Sequence, residues 1–295
     1  AALVGRPLPL TQMAQAVFAM GFAGLRSLLS VRSAPQMIYP RVNTSALDEV
    51  GVFGELFATA FAACVDHACL SVSPASFPTP EGVRDGAAVQ TEARIGPLGD
   101  AVAAWLRYLG VAESLDVRDL GALGHEVKVS VPGASGARYL TQVGSGVSQL
   151  LPVVVMCLLA PPGSTLLLEL PELHLHPGVQ TRLGDFFLAM ALSGRQVIVE
   201  THSEYILHRV RYRVSSPEGE RFLDTVKVYF TEMRDGATNV EPVPMDRYGG
   251  FEKWPENFFD QSEAEIGNLL REGTAKWHRE HPGEELPEDD HDSRG

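Results

Sequence analysis

In the second half of the chain, apolar residues either alternate with polar ones or form short uninterrupted runs, and these segments are separated by predicted helices. Together the patterns predict an α/β domain. Val127, Val129 and Val131 alternate with polar residues, as in a half-buried strand, and uninterrupted apolar runs farther along indicate buried strands. The predicted strands are 127–131, 139–143, 165–169 and 196–200, and the predicted helices are one ending at Ala160 and those at 179–192 and 204–213. This order favours a mainly parallel sheet flanked by helices, followed by a hairpin at 226–231 and 240–243.

The first part of the chain lacks this alternation and is predicted to be mostly helical with long loops. Helices are expected at 10–30, 53–69 and 100–109, and the Pro- and Gly-containing segments 33–50 and 72–97 are expected to be loops. We therefore divide the chain into three parts. These are a helical and loop-rich N-terminal part (1–121), an α/β lobe (122–274) and an acidic tail (275–295) whose composition predicts disorder.

The charge balance argues against a protein that relies on nucleic-acid backbone contacts. The chain has 24 basic and 37 acidic residues, a formal net charge of −13, whereas such proteins usually present a basic surface. Arg209, Arg211 and Arg213 are the one local exception, and they fit either a basic DNA-binding face or an ordinary solvated helix face.

Other features of composition indicate an intracellular protein without a membrane span. The longest apolar run, 153–160, is far shorter than the ~18 residues that a spanning helix needs. The three cysteines, Cys64, Cys69 and Cys157, lie in apolar segments and are expected to be buried free thiols in a reducing compartment. The cytoplasm is therefore the expected location.

The segment that directs the functional interpretation is Leu166-Leu167-Leu168-Glu169-Leu170-Pro171-Glu172-Leu173-His174-Leu175-His176-Pro177. A fully apolar strand that ends in Glu169 brings this carboxylate to the carboxyl edge of the sheet, where open α/β sheets bind ligands. In a nucleotide site such an acid holds Mg²⁺, directly or through water. A buried strand with a charged end that caps the next helix is the alternative.

Two further segments strengthen the nucleotide interpretation. Gly144-Ser145-Gly146-Val147-Ser148-Gln149 leads into a helix, and glycines at a helix N-terminus let backbone N–H groups approach a phosphate. Ser145 and Ser148 can also donate hydrogen bonds there. In Glu200-Thr201-His202-Ser203 another apolar strand ends in a polar cluster, so His202 is expected beside Glu169. Simple helix caps are the alternative for both segments.

In this order and spacing, the three segments resemble ABC-type ATPases of the SMC and OLD-nuclease kind. The closest likeness is to a prokaryotic group of AAA/ABC ATPases with an uncharacterised C-terminal region, which the chain also resembles at Trp254-Pro255 and Phe258-Phe259-Asp260. The resemblance covers 24–273. It implies a P-loop NTPase fold like the ABC ATPase head, ATP and Mg²⁺ as cofactors, and two heads that sandwich ATP.

The resemblance also implies a role for each segment. Gly144, Ser145, Gly146, Ser148 and Gln149 correspond to the ABC signature, which contacts the γ-phosphate bound by a second subunit. Glu169 corresponds to the Walker B acid that orients Mg²⁺, and His202 to the switch histidine. His174 to Pro177, including His176, occupies the place of the D-loop at the dimer seam.

Two departures from the family pattern bear on catalysis. The residue after the Walker B acid is usually Glu or Gln, but Leu170 cannot accept a proton, so Glu172 is the candidate replacement. None of the four lysines, Lys128, Lys227, Lys253 and Lys276, stands in a Gly-x-x-x-x-Gly-Lys-Ser/Thr phosphate-binding loop. The chain is thus expected to be a fragment, one member of a two-polypeptide site or a degenerate subunit.

Three functions remain open from the sequence. The first is an ATPase head whose ATP-dependent dimerisation regulates a partner, for which the resemblance implies a nuclease or DNA in prokaryotic defence or repair. The second is a scaffold that keeps the fold without turnover. The third is a metal-dependent hydrolase built from Glu169, Glu172, His174, His176 and His202.

Overall fold

The computed structural model describes residues 24–42, 48–77, 92–217, 219–252 and 261–282. The described strands are β1 (Leu25–Leu28), β2 (Ile38–Tyr39), β3 (Ala68–Val72), β4 (Ala93–Pro97), β5 (Ser114–Asp119), β6 (His125–Ser130), β7 (Arg138–Tyr139), β8 (Thr165–Glu169), β9 (Gln196–Glu200), β10 (Tyr229–Arg234) and β11 (Ala237–Pro242). The described helices are α1 (Phe57–Cys64), α2 (Leu98–Leu109), α3 (Ser145–Leu159), α4 (Pro177–Leu192), α5 (Glu204–Ser215) and α6 (Gln261–Glu280). No helix in these ranges is both long enough and apolar enough to cross a membrane.

A three-stranded parallel sheet in the order β1-β8-β9 belongs to the first compact unit, which comprises 1–225 and 247–249. The two strands predicted from apolar runs, β8 and β9, have the expected bounds. The connection from β8 to β9 contains helix α4, and it is long enough to let the two strands run parallel, as expected for an α/β fold. The predicted mainly parallel sheet flanked by helices is therefore confirmed.

The prediction of a helix at 10–30 is wrong for its last residues, because Leu25–Leu28 forms β1. Residues 10–23 lie outside the described part of the chain. Leu28 is fully buried and pairs in register with Leu168 of β8. Residues 25–28 therefore form a strand because they pair with the buried strand β8, although their apolar spacing alone favours a helix.

The predicted helix at 53–69 is also too long, since α1 ends at Cys64 and the chain then turns into β3. β3 pairs antiparallel with β4, so part of the predicted 72–97 loop is a strand. This pairing buries Cys69 and Val72. The prediction at 100–109 is confirmed by α2, which ends where Gly110 adopts a left-handed φ of 75°.

A second sheet, in the order β2-β6-β5 with β7 also on β6, is antiparallel. The predicted pair at 127–131 and 139–143 is confirmed in part: β6 pairs with β7, but residues 140–142 form a 3-10 turn. That turn leads directly into α3. Val153, Val154 and Val155 of α3 have no exposed surface, which explains why this helix is apolar on all sides.

The second compact unit comprises 226–246 and 250–295. Within it β10 and β11 form the predicted hairpin, and the two-residue turn Asp235-Gly236 has positive φ at both positions, as a tight hairpin requires. Helix α6 extends to Glu280 and so includes the first residues of the segment predicted as an acidic tail. Residues 283–295 of that tail lie outside the described part.

Candidate functional site

Parallel pairing brings the chemistry-bearing ends of two strands together. Glu169 is the last residue of β8 and pairs in register with Glu200, the last residue of β9. Two residues beyond Glu200, His202 is exposed at the same edge. The sheet therefore places Glu169 and His202 at neighbouring strand ends, as the sequence predicted.

The loop after Glu169 has an unusual backbone. Leu170 and His174 have positive φ values of 41° and 65°, and Asp235 in the hairpin turn is the only other such non-glycine residue in the described ranges. A left-handed conformation costs a residue with a side chain about 1–3 kcal/mol, so it persists only where surrounding contacts impose it. Strain of this kind is concentrated at functional sites.

Hydrogen bonds hold this loop against the end of β9. The Leu170 amide donates to the Glu200 carbonyl at 2.9 Å. Glu172 is 6% exposed, and its Oε1 accepts a hydrogen bond from the His202 amide at 2.8 Å. The backbone at His202 is thus fixed by the carboxylate that the sequence suggested as a substitute proton acceptor.

An arginine that the sequence gave no reason to select lies at the same edge. Arg32, four residues beyond β1, is 7% exposed and donates from Nη2 to the carbonyls of Glu169 at 3.0 Å and Leu170 at 3.4 Å. Burial lowers the pKa of Arg32, and the nearby Glu172 carboxylate acts in the opposite direction. From the same segment the Ser30 amide donates to Glu169 Oε2 at 3.3 Å.

The glycine-rich segment begins α3 and closely approaches the strained loop. Gly144 is the N-cap residue, so α3 starts within the predicted signature. A Cβ built on Gly146 would lie 2.8 Å from the carbonyl oxygen of His174, so no side chain fits there without a backbone shift. This contact explains the glycine at 146, whereas a Cβ on Gly144 would meet nothing within 4 Å.

An open cleft of about 630 Å³ joins the two segments. Gly144, Gly146, His174 and His176 line it, together with Arg138 from β7. The predicted signature and D-loop segments therefore share one surface, although they are about 30 residues apart in sequence.

The remaining predicted residues of these segments differ in accessibility. Ser145 is exposed and Gln149 half-buried, but Ser148 is buried and its hydroxyl donates to the Ser145 carbonyl at 2.8 Å. The Ser148 hydroxyl is thus bonded back to its own helix, and α3 has no side-chain cap. His176 is the N-cap of α4, where its Nδ1 accepts a hydrogen bond from the Gly178 amide at 3.1 Å.

The three arginines of α5 do not form the basic face that the sequence allowed. Arg213 has no exposed surface and pairs with the fully buried Asp185 at 2.7 Å. Arg209 is 6% exposed and lies 3.7 Å from the same carboxylate. Arg211 donates to the Gly249 carbonyl at 2.6 Å. The alternatives of a DNA-binding face and a solvated face are both wrong for Arg209 and Arg213, because Asp185 draws them into the interior.

The residues at the sheet edge fit the cofactors implied by the resemblance. Mg²⁺ in phosphoryl-transfer sites is held by one or two carboxylates together with substrate phosphates, and Glu169 and Glu200 offer carboxylates at paired strand ends. The hydrolase alternative needs more protein ligands. In the ranges that the structure describes, no three His, Cys, Asp or Glu side chains form a group able to hold a metal.

Family models match two parts of the chain. Residues 109–208 match a family described as an AAA domain, putative AbiEii toxin of a type IV toxin–antitoxin system. Residues 224–269 match a family described as a protein of unknown function, DUF3696. Residues 109–208 are therefore similar to this family of AAA domains. The match to DUF3696 lies C-terminal to that match.

Solved structures of SMC heads are similar to part of the chain. A structure from a study of ATP-driven dimerisation and DNA-stimulated activation of SMC ATPases is 15% identical, covers 50% of this chain and 83% of its own, and has a TM-score of 0.40. An SMC head bound to the C-winged helix domain of ScpA is 15% identical, covers 50% and 42%, and has a TM-score of 0.38. An SMC head with an extended coiled coil bound to the ScpA C-terminal domain, derived from Pyrococcus furiosus, is 12% identical, covers 59% and 37%, and has a TM-score of 0.37. No curated protein sequence matches this chain significantly.

Proposed function

We propose that this chain supplies one part of a composite ATP site, in which Glu169 holds Mg²⁺ and His202 contacts the terminal phosphate. The observation that carries the proposal is the pairing of β8 with β9, which brings the acid and the histidine to one edge of the sheet. Bound Mg·ATP supplies the phosphoanhydride to be cleaved and the metal charge that offsets negative charge developing on the phosphates.

The cleft at the start of α3 is the second part of the proposal. Gly144, Ser145, Gly146 and Gln149, together with His176, contact the phosphates of ATP held by another subunit. The exposure of Ser145 and His176 and the open cleft support this role, because a partner can reach them. Backbone N–H groups at a helix N-terminus favour an anion. ATP binding then promotes a homodimer or a complex with a partner ATPase subunit.

Dimerisation in this proposal regulates a partner protein. A nuclease subunit acting in prokaryotic defence or DNA repair is the partner that the family resemblance suggests, by analogy alone. DNA would be met through that partner, since Arg209 and Arg213 are buried against Asp185.

A scaffold without turnover is the second candidate, and Leu170 is the observation that favours it. Leucine follows Glu169 where the family usually has a residue that orients water, and its amide is bonded to the end of β9. Hydrolysis therefore depends on Glu172, whose Oε1 already accepts from the His202 amide. If Glu172 has only that structural role, the site binds ATP but does not cleave it.

Calorimetry with ATP and Mg²⁺ tests the proposal on this chain and on the longest natural form of the gene product. We expect binding by the form that carries a phosphate-binding loop, and loss of it, by about tenfold or more, in Glu169→Gln and His202→Ala. His208→Ala is the matched control, because His208 is an exposed histidine of α5 away from the strand end. Absence of binding by every form would refute the ATPase and leave the scaffold. Binding without phosphate release would favour the scaffold with a retained nucleotide.

A further inference from the structure

Two buried side chains at the carboxyl edge of the sheet have polar atoms with no partner in the described part of the chain. Arg32 has unpaired Nε and Nη1 atoms, and Glu172 has an unpaired Oε2. Burying a charged group without full hydrogen bonding costs several kcal/mol, so such groups are not kept for stability alone. The Glu172 carboxylate favours the charged form of Arg32, as its effect on the pKa of Arg32 indicates, and so lowers part of that cost.

The contacts of Arg32 fix the backbone directly after the proposed Walker B acid. Its Nη2 reaches the carbonyls of Glu169 and Leu170, one on each side of the strained Leu170. The peptide between Glu169 and Leu170 is held from the other side as well, because the Leu170 amide donates to the Glu200 carbonyl. A single donor group therefore restrains the two peptide planes that flank Leu170, and the first of these planes directly follows Glu169.

Glu172 continues this set of contacts to the other strand end. The same loop that Arg32 restrains carries Glu172, and Glu172 Oε1 holds the His202 amide at 2.8 Å. Contacts thus run without interruption from the segment after β1, through the loop after β8, to the segment after β9. Both residues with a proposed chemical role, Glu169 and His202, therefore receive contacts from this path.

We propose that Arg32 and Glu172 are positioning residues, two buried charged side chains that set Glu169 and His202 in their relative places for Mg²⁺ and phosphate. This rests on the proposed function, since positioning matters only if the two residues bind Mg·ATP. Arg32 acts through the backbone of Glu169 and Leu170, and Glu172 acts through the backbone of His202.

A matched control exists at the opposite edge of the same sheet. Arg195, just before β9, is 3% exposed and donates to three backbone carbonyls, those of Leu70, Leu158 and Ala160. Arg195→Met therefore removes a buried arginine that caps carbonyls, as Arg32→Met does, but far from Glu169 along the strands. A purely structural role predicts the same consequences for both variants.

The first measurement needs no nucleotide and uses this chain. Amide hydrogen exchange followed by NMR reports the Leu170 and His202 amides, both of which donate to partners in this set of contacts. We expect Arg32→Met to accelerate their exchange about tenfold more than that of amides in α3, and Arg195→Met to cause no such local excess. Glu172→Gln should keep the His202 amide protected, because the amide oxygen still accepts, whereas Glu172→Ala should expose it.

The second measurement uses the longest natural form and titrates Mg²⁺ at fixed ATP. Loss of residues that orient a metal ligand typically weakens metal affinity 10–100-fold, so the half-saturating Mg²⁺ concentration should rise about tenfold or more in Arg32→Met. It should stay unchanged in Arg195→Met and recover in part in Arg32→Lys, which keeps one positively charged donor group.

The two measurements separate failure of this proposal from failure of the proposed function. If Arg32→Met matches Arg195→Met in local exchange and in Mg²⁺ dependence, Arg32 is only a buried structural residue and the proposal is wrong. If the longest wild-type form binds no nucleotide, the proposed function fails and the positioning role for Mg²⁺ and phosphate fails with it. The exchange data then still decide whether Arg32 and Glu172 order the two strand ends.

Discussion

Asp185 of α4 is the one carboxylate that compensates two buried arginines, and its loss should strongly destabilise the first unit. It has no exposed surface, and its oxygens accept from Arg213 at 2.7 and 3.1 Å and from the Tyr108 hydroxyl at 2.6 Å. Arg209 lies 3.7 Å away on the same side. Helices α2, α4 and α5 therefore meet at a single side chain.

The expected cost follows from what the substitution leaves behind. In Asp185→Ala two guanidinium groups and a phenol lose a common buried acceptor, and removal of one partner from a buried ion pair costs about 3–5 kcal/mol. Domains are stable by only about 5–15 kcal/mol, so this is a large fraction of the total. Asp185→Asn keeps the shape of the side chain but loses its charge. We therefore expect it to be nearly as unstable as Asp185→Ala.

Urea denaturation of the wild type and the variants, followed by far-UV circular dichroism, measures this difference. Tyr108→Phe removes one hydrogen bond to a charged acceptor and should cost about 1.5–3 kcal/mol, less than either change at Asp185. A free energy of unfolding for Asp185→Asn within about 1 kcal/mol of the wild type would refute the reasoning. It would mean that the arginines find other acceptors or water.

Three further predictions concern other parts of the first unit. Gly146→Ala should distort the cleft because its Cβ would lie 2.8 Å from the His174 carbonyl, and calorimetry should show weaker nucleotide binding by the longest form. Gly144→Ala should leave the folded cleft and its stability unchanged, because its Cβ would meet nothing within 4 Å. Burial and Asp185 raise the pKa of Tyr108 above its ordinary value of 10.0, so stability should fall as the pH rises above about 10. In urea titrations at several pH values that fall should be shallower in Tyr108→Phe, and an identical slope would contradict the assignment. Burial raises the pKa of Cys157 to about 12, so a thiol reagent at pH 8 should label it only after unfolding, and rapid labelling of the native protein would show an open core.

The sequence pattern predicts strands β8 and β9 well and strand β1 poorly. β8 and β9 are apolar runs that end in Glu169 and Glu200, so composition and boundaries agree. β1 carries no such mark, since four residues of mixed polarity become a strand only by pairing with β8. Tertiary pairing of this kind is not encoded in a local window.

In the candidate site too, some residues could be predicted from the sequence and others could not. Glu169 and His202 were predictable because each follows an apolar strand, and parallel strands end at one edge. Arg32 could not be predicted, because the carbonyls to which it donates hydrogen bonds are 137 and 138 positions away in the sequence. Arg209 and Arg213 were misjudged for a similar reason: helical charge spacing does not reveal that Asp185 lies buried opposite them.

The pairing of β1 with β8 also has a consequence for how the molecule folds. Leu25 pairs with Thr165, so the sheet closes only after a long intervening stretch of chain has been synthesised. Contacts so distant in sequence make folding slow, because loop-closure entropy is lost before the contacts form. An excised fragment limited to the AAA-matching residues 109–208 would lack both β1 and Arg32, and would leave one side of β8 unpaired. The smallest segment that can fold with its site intact must therefore begin before β1.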